Sequence, residues 1–280
     1  MVDGMLTEQQ QKCIPDVSFE LIPIKNLVSN QEYQRNLSEL HIRKALDEFD
    51  VYQLNPVKVS RRDGVNYVFD GQHTIEIVAA ASGSRDTPVW CMIYNDLIYK
   101  EEAHIFADQQ KHVKSLQPYE MYKAHIEAGD EKQMMIDATV KSYGLFVSHK
   151  ALPNSICAIN TLEKIYDRYG LSVLDATLRI AIGTWEGEAN SLSGYILMGI
   201  AKIIVTYGES LREDVFKDHL GKVSVKSIIR IAKERRPGAM GYAEAMMLEY
   251  NKKGKHRLSL RALYGGKVVA TDPNDYGEPE

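Results

Sequence analysis

Residues 67–81, YVFDGQHTIEIVAAA, set an acid, a glycine, an amide, an imidazole and a hydroxyl (Asp70, Gly71, Gln72, His73 and Thr74) between a strand-like run and a helix-like run. A helix entered through glycine leaves its first N–H groups unpaired at the positive end of its dipole, a ready place for an anion and most often a phosphate. Gln72, His73 and Thr74 add donors around the same point. Two catalytic chemistries could draw on these residue types. A metal-dependent nuclease would take Asp70 and Glu76 as metal ligands and His73 as general base. A phosphotransferase would use Asp70 or a nearby Glu as base, with His73 and the helix N-terminus on the phosphate of a magnesium-bound nucleoside triphosphate. The plainest alternative is a helix capped by Asp70, with His73 on the surface.

Such a turn has to be held by strands and helices, and residues 17–93 carry an α/β rhythm. FELIPI (19–24) reads as a short strand, with Pro23 at an edge or an end. Ser38 suits the N-cap of a helix whose apolar stripe is Leu40, Ile42, Ala45, Leu46 and Phe49. Residues 57–60 and 65–69 read as a hairpin through RRDG (61–64), because Asp-Gly supplies the positive φ of a tight turn. A helix over 72–81 and a strand over 89–94 follow. Beyond Asp96 the β signal fades, and helices are predicted over 99–113, 118–128, 131–143, 155–169, 172–182, 191–207, 212–220, 224–236 and 241–252. The expected organisation is a polar lead-in (1–16), an α/β domain (17–115), a helical domain (116–264) and a flexible tail (265–280).

The second chemical feature lies near the C-terminus. SVKSIIRIAKERRPG (224–238) is similar to the second half of a helix-turn-helix: Ser224 caps, Val225, Ile228, Ile229 and Ala232 pack, and Lys226, Arg230 and Lys233 share the outer face. With Arg235 and Arg236 they make a phosphate-binding face whose affinity would fall with salt. A solvated basic helix is the ordinary alternative.

The whole chain carries a net charge of −4, too small for a global field that would impose a nucleic-acid or membrane partner. Three distant cysteines without a CxxC pair argue against a disulfide framework or a zinc site and fit a reducing cytoplasm. The polar start lacks the apolar core of a signal peptide. The most apolar run, 192–205, contains Lys202 and is too short for a bilayer core of about 30 Å.

The order of elements over residues 55–94 (apolar strand, Asp-Gly turn, strand, glycine turn, helix, glycine, proline, strand) resembles the N-terminal domain of the ParB/sulfiredoxin superfamily. NQEYQRNLSELHIRKALDEF (30–49) resembles that family's first box, and LQPYE (116–120) its Leu-x-Pro-x-Glu helix start. The resemblance covers roughly residues 17–125. It implies an α+β fold, with a small mixed sheet in the first domain and an all-α second domain. It also implies a phosphate or nucleotide held by Gln34, Arg35, Asp70, Gly71, Gln72, His73 and Thr74. Gln72 stands where the reactive cysteine of sulfiredoxins belongs, and an amide cannot be that nucleophile, so sulfiredoxin chemistry is excluded. CTP-binding partition proteins carry Gly-Glu-Arg-Arg where this chain has Gly71-Gln72-His73-Thr74. The motif is most similar to the Asp-Gly-Gln-His-Arg (DGQHR) variant of phage and mobile-element proteins, with Thr74 in place of its bidentate arginine. Arg35 and Arg43 are candidates to replace that charge.

The reading that follows is a cytoplasmic accessory protein of a phage or mobile element. It binds a nucleotide or another phosphate, the fullest form being a nucleoside triphosphate with magnesium. It associates with DNA, has no membrane partner, and a homodimer is the assembly considered. The alternatives are the phosphotransferase or nuclease above, and a protein-interaction module with a degenerate pocket, which Thr74 supports best.

Overall fold

The computed structural model describes residues 7–29, 37–95, 97–109, 115–252 and 256–265. Gln34 and Arg35 of the predicted pocket, and nearly all of the predicted tail, lie outside the described residues. The chain separates into two compact units, Met1–Lys114 and Ser115–Glu280. The fold class is α+β, with a mixed sheet in the first unit and helices dominating the second.

In the first unit, α1 (Glu8–Gln11) precedes β1 (Val17–Pro23) and β2 (Leu27–Ser29). Then come α2 (Glu39–Asp47), β3 (Val57–Arg62), β4 (Val65–Asp70), α3 (Gln72–Ser82), β5 (Pro88–Tyr94) and α4 (Tyr99–Gln109). The strands form one sheet in the order β1-β5-β3-β4-β2. The β1/β5 and β3/β4 pairs are antiparallel, and β3/β5 and β2/β4 are parallel. Local chemistry sets the hairpin: Asp63 and Gly64 have φ of 50° and 74°, the two positive values that match the twist of paired strands.

Strand alternation then decides the core. Val57, Val59, Val68, Val89, Cys91 and Ile93 are buried with Ile75 and Val78 of α3. Residues of opposite parity, Phe69 and Ser60, are also fully buried, with the Phe69 and Tyr94 rings edge to face at 5.4 Å. There α4 packs against β4, and its fully buried Glu102 carries Oε1 3.0 Å from Arg62 Nε. Arg61 ties three strands, donating to both Glu20 oxygens (2.9 and 2.7 Å) and to Asn66 (2.9 Å). That pair holds the Glu20 carboxyl below its ordinary range.

The α2 helix departs from expectation in one respect. Ser38 caps it as predicted, its hydroxyl accepting from the His41 amide at 3.3 Å. The apolar stripe, however, is not buried: no α2 residue is buried, and Leu40 is 64% exposed. Within this unit the helix packs chiefly on α3, which is too little to cover the stripe.

The second unit contains α5 (Pro118–Glu127), α6 (Glu131–Ser142), β6 (Phe146–Val147), β7 (Ser155–Ile156) and α7 (Ile159–Tyr169). It continues through α8 (Leu171–Trp185), α9 (Gly194–Tyr207), α10 (Glu213–Leu220), α11 (Val225–Arg235) and α12 (Ala239–Asn251). The helix predicted over 155–169 starts later, because residues 155–156 pair in parallel with residues 146–147. The core gathers buried faces of α6 to α12, with Phe216 between Trp185 and Tyr250, each ring centroid 6.4 Å away. Among the described residues, no helix is long and apolar enough to cross a membrane.

All three cysteines are free thiols, with Cys13 and Cys157 exposed and Cys91 buried. Burial pushes the Cys91 thiol up to about 11, so it packs rather than reacts.

Candidate functional site

Gly71 is the hinge of the predicted turn. It joins β4 to α3 as N-cap at φ 102°, ψ 18°, where an L side chain is strained. A Cβ built there would stand 3.1 Å from the Val57 Cα and 3.3 Å from its Cγ2. Both the dihedral and the close approach of β3 therefore require glycine. No described side chain caps the helix, and the Gly71 carbonyl already accepts from Ile75 at 3.1 Å. The opening of α3 is left to backbone N–H groups, as the sequence implies.

Asp70 does not cap. It is the last residue of β4, paired in register with Lys58, and its Oδ2 is 3.7 Å from Lys58 Nζ. Lys58 is thus a cation beside the glycine turn that motif reading missed. The only sequence signal for it is the hairpin register. Counting back from Asp63-Gly64 would set Lys58 opposite Phe69, and an irregularity between Lys58 and Val59 moves it to Asp70.

His73 has a definite partner: its Nε2 accepts from the Ser38 backbone N–H at 3.3 Å, so in the neutral ring the hydrogen lies on Nδ1. The His41 ring stands edge-on to it at 5.2 Å. The contact sets the opening turn of α2 beside that of α3. Acting as a base, Nε2 would have to release the Ser38 amide. Arg43, a candidate substitute for the missing motif arginine, is exposed on α2.

Glu76 goes elsewhere. Arg85, after the helix, donates to both its oxygens at 3.0 Å. Among the described residues no group of three His, Cys, Asp or Glu side chains could hold a metal. The nuclease arrangement, with Asp70 and Glu76 as joint ligands, is therefore not formed: the hairpin turns Asp70 toward Lys58, and the turn after α3 delivers Arg85 to Glu76. Thr74 lines a hollow of about 500 Å³ along α3, in which Gln72 and His73 take no part.

The basic candidates divide. Lys226, Arg230 and Lys233 are exposed on α11 and form no ion pair with described residues. Arg235 instead donates to buried Glu244 of α12 at 2.8 Å, and Arg236 Nη1 stands 3.7 Å from the same carboxylate. The Arg236 guanidinium also lies 5.2 Å from the Tyr264 ring, and the Tyr264 hydroxyl donates to Glu244. These two arginines fasten α11 to α12 and to the 3₁₀ turn Leu260–Tyr264. At the other end of α11, Ser224 accepts from Ser227 at 3.3 Å and Glu188 accepts from the Val225 amide at 3.0 Å, so its first turn is already capped.

The curated proteins contain no match to this chain. Among solved structures, the C-terminally truncated chromosome-partitioning protein ParB from Caulobacter crescentus, complexed with CTP-gamma-S, is similar at a TM-score of 0.34 and 12% identity. The match covers 80% of this chain and 97% of that one. A superposition this loose carries no argument about ligand or activity. The family model of DUF6551 matches residues 28–261. That span takes in the glycine turn, α11 and most of each unit, and the chain belongs to this family of unknown function.

Proposed function

We propose that the chain binds a phosphate-bearing ligand where α2 and α3 open, and that it meets nucleic acid through the exposed face of α11. One observation carries the first part: the Ser38–His73 hydrogen bond sets two helix openings side by side, and Gly71 leaves α3 without a side-chain cap. Each helix start carries roughly half a positive charge, and an anion would relieve their mutual repulsion. Lys58, 3.7 Å from Asp70, brings a cation to the end of β4 beside the glycine turn, in a motif whose own arginine is here Thr74. The ligand class is a nucleotide or another phosphate, and a nucleoside triphosphate would bring its magnesium with it. His73 is here a positioning residue. Binding rather than turnover is favoured, because Asp70 is engaged by Lys58 and Glu76 by Arg85. The phage or mobile-element origin rests on the motif resemblance alone.

Melting the protein with pyrophosphate, ATP, CTP and GTP, with and without magnesium, tests this reading. A ligand at a hundred times its dissociation constant adds about 2.7 kcal/mol of stability. The stabilisation should fall away in His73→Phe and Lys58→Met. Equal stabilisation of all three proteins would place the ligand elsewhere.

For α11 the measure is salt. Replacing Lys226, Arg230 and Lys233 together by glutamine should flatten the dependence of log affinity for duplex DNA on log salt by roughly 2 to 3. Unchanged slope and affinity would assign that face to solvent. Arg235→Gln, by contrast, should cost stability, because it removes the nearest cation from the buried Glu244 carboxylate and leaves it only Arg236 at 3.7 Å and the Tyr264 hydroxyl.

A further inference from the structure

Alongside the glycine turn, the hollow of about 500 Å³ lies within the first unit, lined by α3, by the segment entering β3, and by β1 and β5. Its size falls in the range of small-molecule sites, roughly 300–1,000 Å³. No charged side chain lines it. A charged occupant would lose its hydration without gaining a partner, so the occupant is uncharged where it enters. Apolar lining dominates, and its two aromatic residues, Phe49 and Trp90, are left 42% and 55% exposed. Large rings half-exposed around a concavity offer faces to a flat apolar body.

Four neutral polar side chains also line the hollow, and they are not alike. Ser82 and Thr87 satisfy one another, with the Thr87 hydroxyl donating to Ser82 Oγ at 2.8 Å and Ser82 donating to the Val78 carbonyl at 2.7 Å. The Thr74 hydroxyl and the Asn55 carboxamide form no hydrogen bond with described residues. They are the groups left to orient a ligand.

We propose that this hollow binds an uncharged aromatic ring system, stacked against Phe49 and Trp90, with a neutral hydrogen-bonding edge turned to Thr74 and Asn55. Thr74 thus serves the ring rather than a phosphate, which is the physical use of a hydroxyl where the motif has an arginine. The site stands whether or not the glycine turn holds an anion. A free heteroaromatic molecule and the ring of a larger phosphorylated one share this chemistry.

The probes are adenosine, cytidine and benzamide, beside AMP and CMP, titrated into the full chain. The readout is protection of tryptophan fluorescence from acrylamide, because Trp90 is exposed and the other tryptophan, Trp185, is buried. At least one uncharged probe should protect Trp90 saturably. Thr74→Val should weaken that binding about tenfold, as expected for the loss of one hydrogen bond to a buried polar group. Ala81→Phe, at an exposed position lining the hollow, should abolish it with the melting temperature unchanged. Equal affinity for nucleoside and monophosphate marks a free ring as the ligand. A monophosphate advantage that His73→Phe removes, leaving nucleoside binding intact, marks a ligand that spans both sites. The proposal is overturned if no uncharged probe protects Trp90, or if binding is indifferent to both substitutions. It is also overturned if protection comes only from self-association with rising protein concentration, which would give the hollow to a second copy.

Discussion

Gly71→Val lowers the stability of the first unit by about 3 kcal/mol or more and abolishes anion binding at the turn. Two separate terms act on the same atom. The backbone sits at φ 102°, and a β-branched residue held in a sparsely populated region costs of order 1–3 kcal/mol. The new Cβ also meets Val57, 3.1 Å away at its Cα, and a backbone atom in the middle of a sheet cannot move aside cheaply. Forcing extra carbons into a packed site adds about 1–3 kcal/mol. Urea unfolding followed through Trp90 reads this unit, while Trp185 reads the other, so the loss should appear in one transition only. A loss below about 1 kcal/mol would mean that the turn does not take this conformation.

Phe216→Ala destabilises the second unit by about 3–5 kcal/mol, the usual range for emptying a buried aromatic position. Phe216 is fully buried on α10, against Trp185 of α8 and Tyr250 of α12. Both neighbours are themselves anchored: Trp185 donates to the Val223 carbonyl at 3.1 Å, and the Tyr250 hydroxyl accepts from the Arg212 amide at 3.2 Å. They cannot collapse into the cavity, which puts the cost toward the upper end of the range. Because Val223 leads directly into α11, DNA binding through Lys226, Arg230 and Lys233 should weaken at temperatures where the variant is still mostly folded. Urea unfolding read through Trp185 checks the stability. A cost under 2 kcal/mol would show that the surrounding helices repack freely.

What could be read from the sequence was what neighbouring residues decide among themselves. The Asp63-Gly64 turn, the Ser38 cap and the entry into α3 through Gly71 are written within a few residues of where they act, and each is found in place. Helical spacing likewise marked most of the helices of the second unit. The missed features all depend on which distant residue arrives opposite. Lys58 reaches Asp70 only because the β3/β4 ladder slips by one residue. Glu76 looks like a metal ligand until the turn after α3 returns Arg85 to it. Arg235 and Arg236 look like part of one basic face until Glu244, on the next helix, takes both. The stripe on α2 has the right period and is still half open, because periodicity tells which residues share a face and not what covers it. The hollow that Thr74 lines draws residues from β1, β5, α3 and the segment before β3, so no local run announces it.

The central claim is that backbone amides at the start of α3, beside the start of α2, hold an anion. Amide chemical shifts of the ¹⁵N-labelled chain during a pyrophosphate titration test it most directly. The account predicts saturable shifts centred on Gly71, Gln72, His73 and Thr74 and on Ser38 and Glu39, all following one binding curve and all lost in His73→Phe. Shifts confined to α11, or none at those six amides at saturating pyrophosphate, would contradict it.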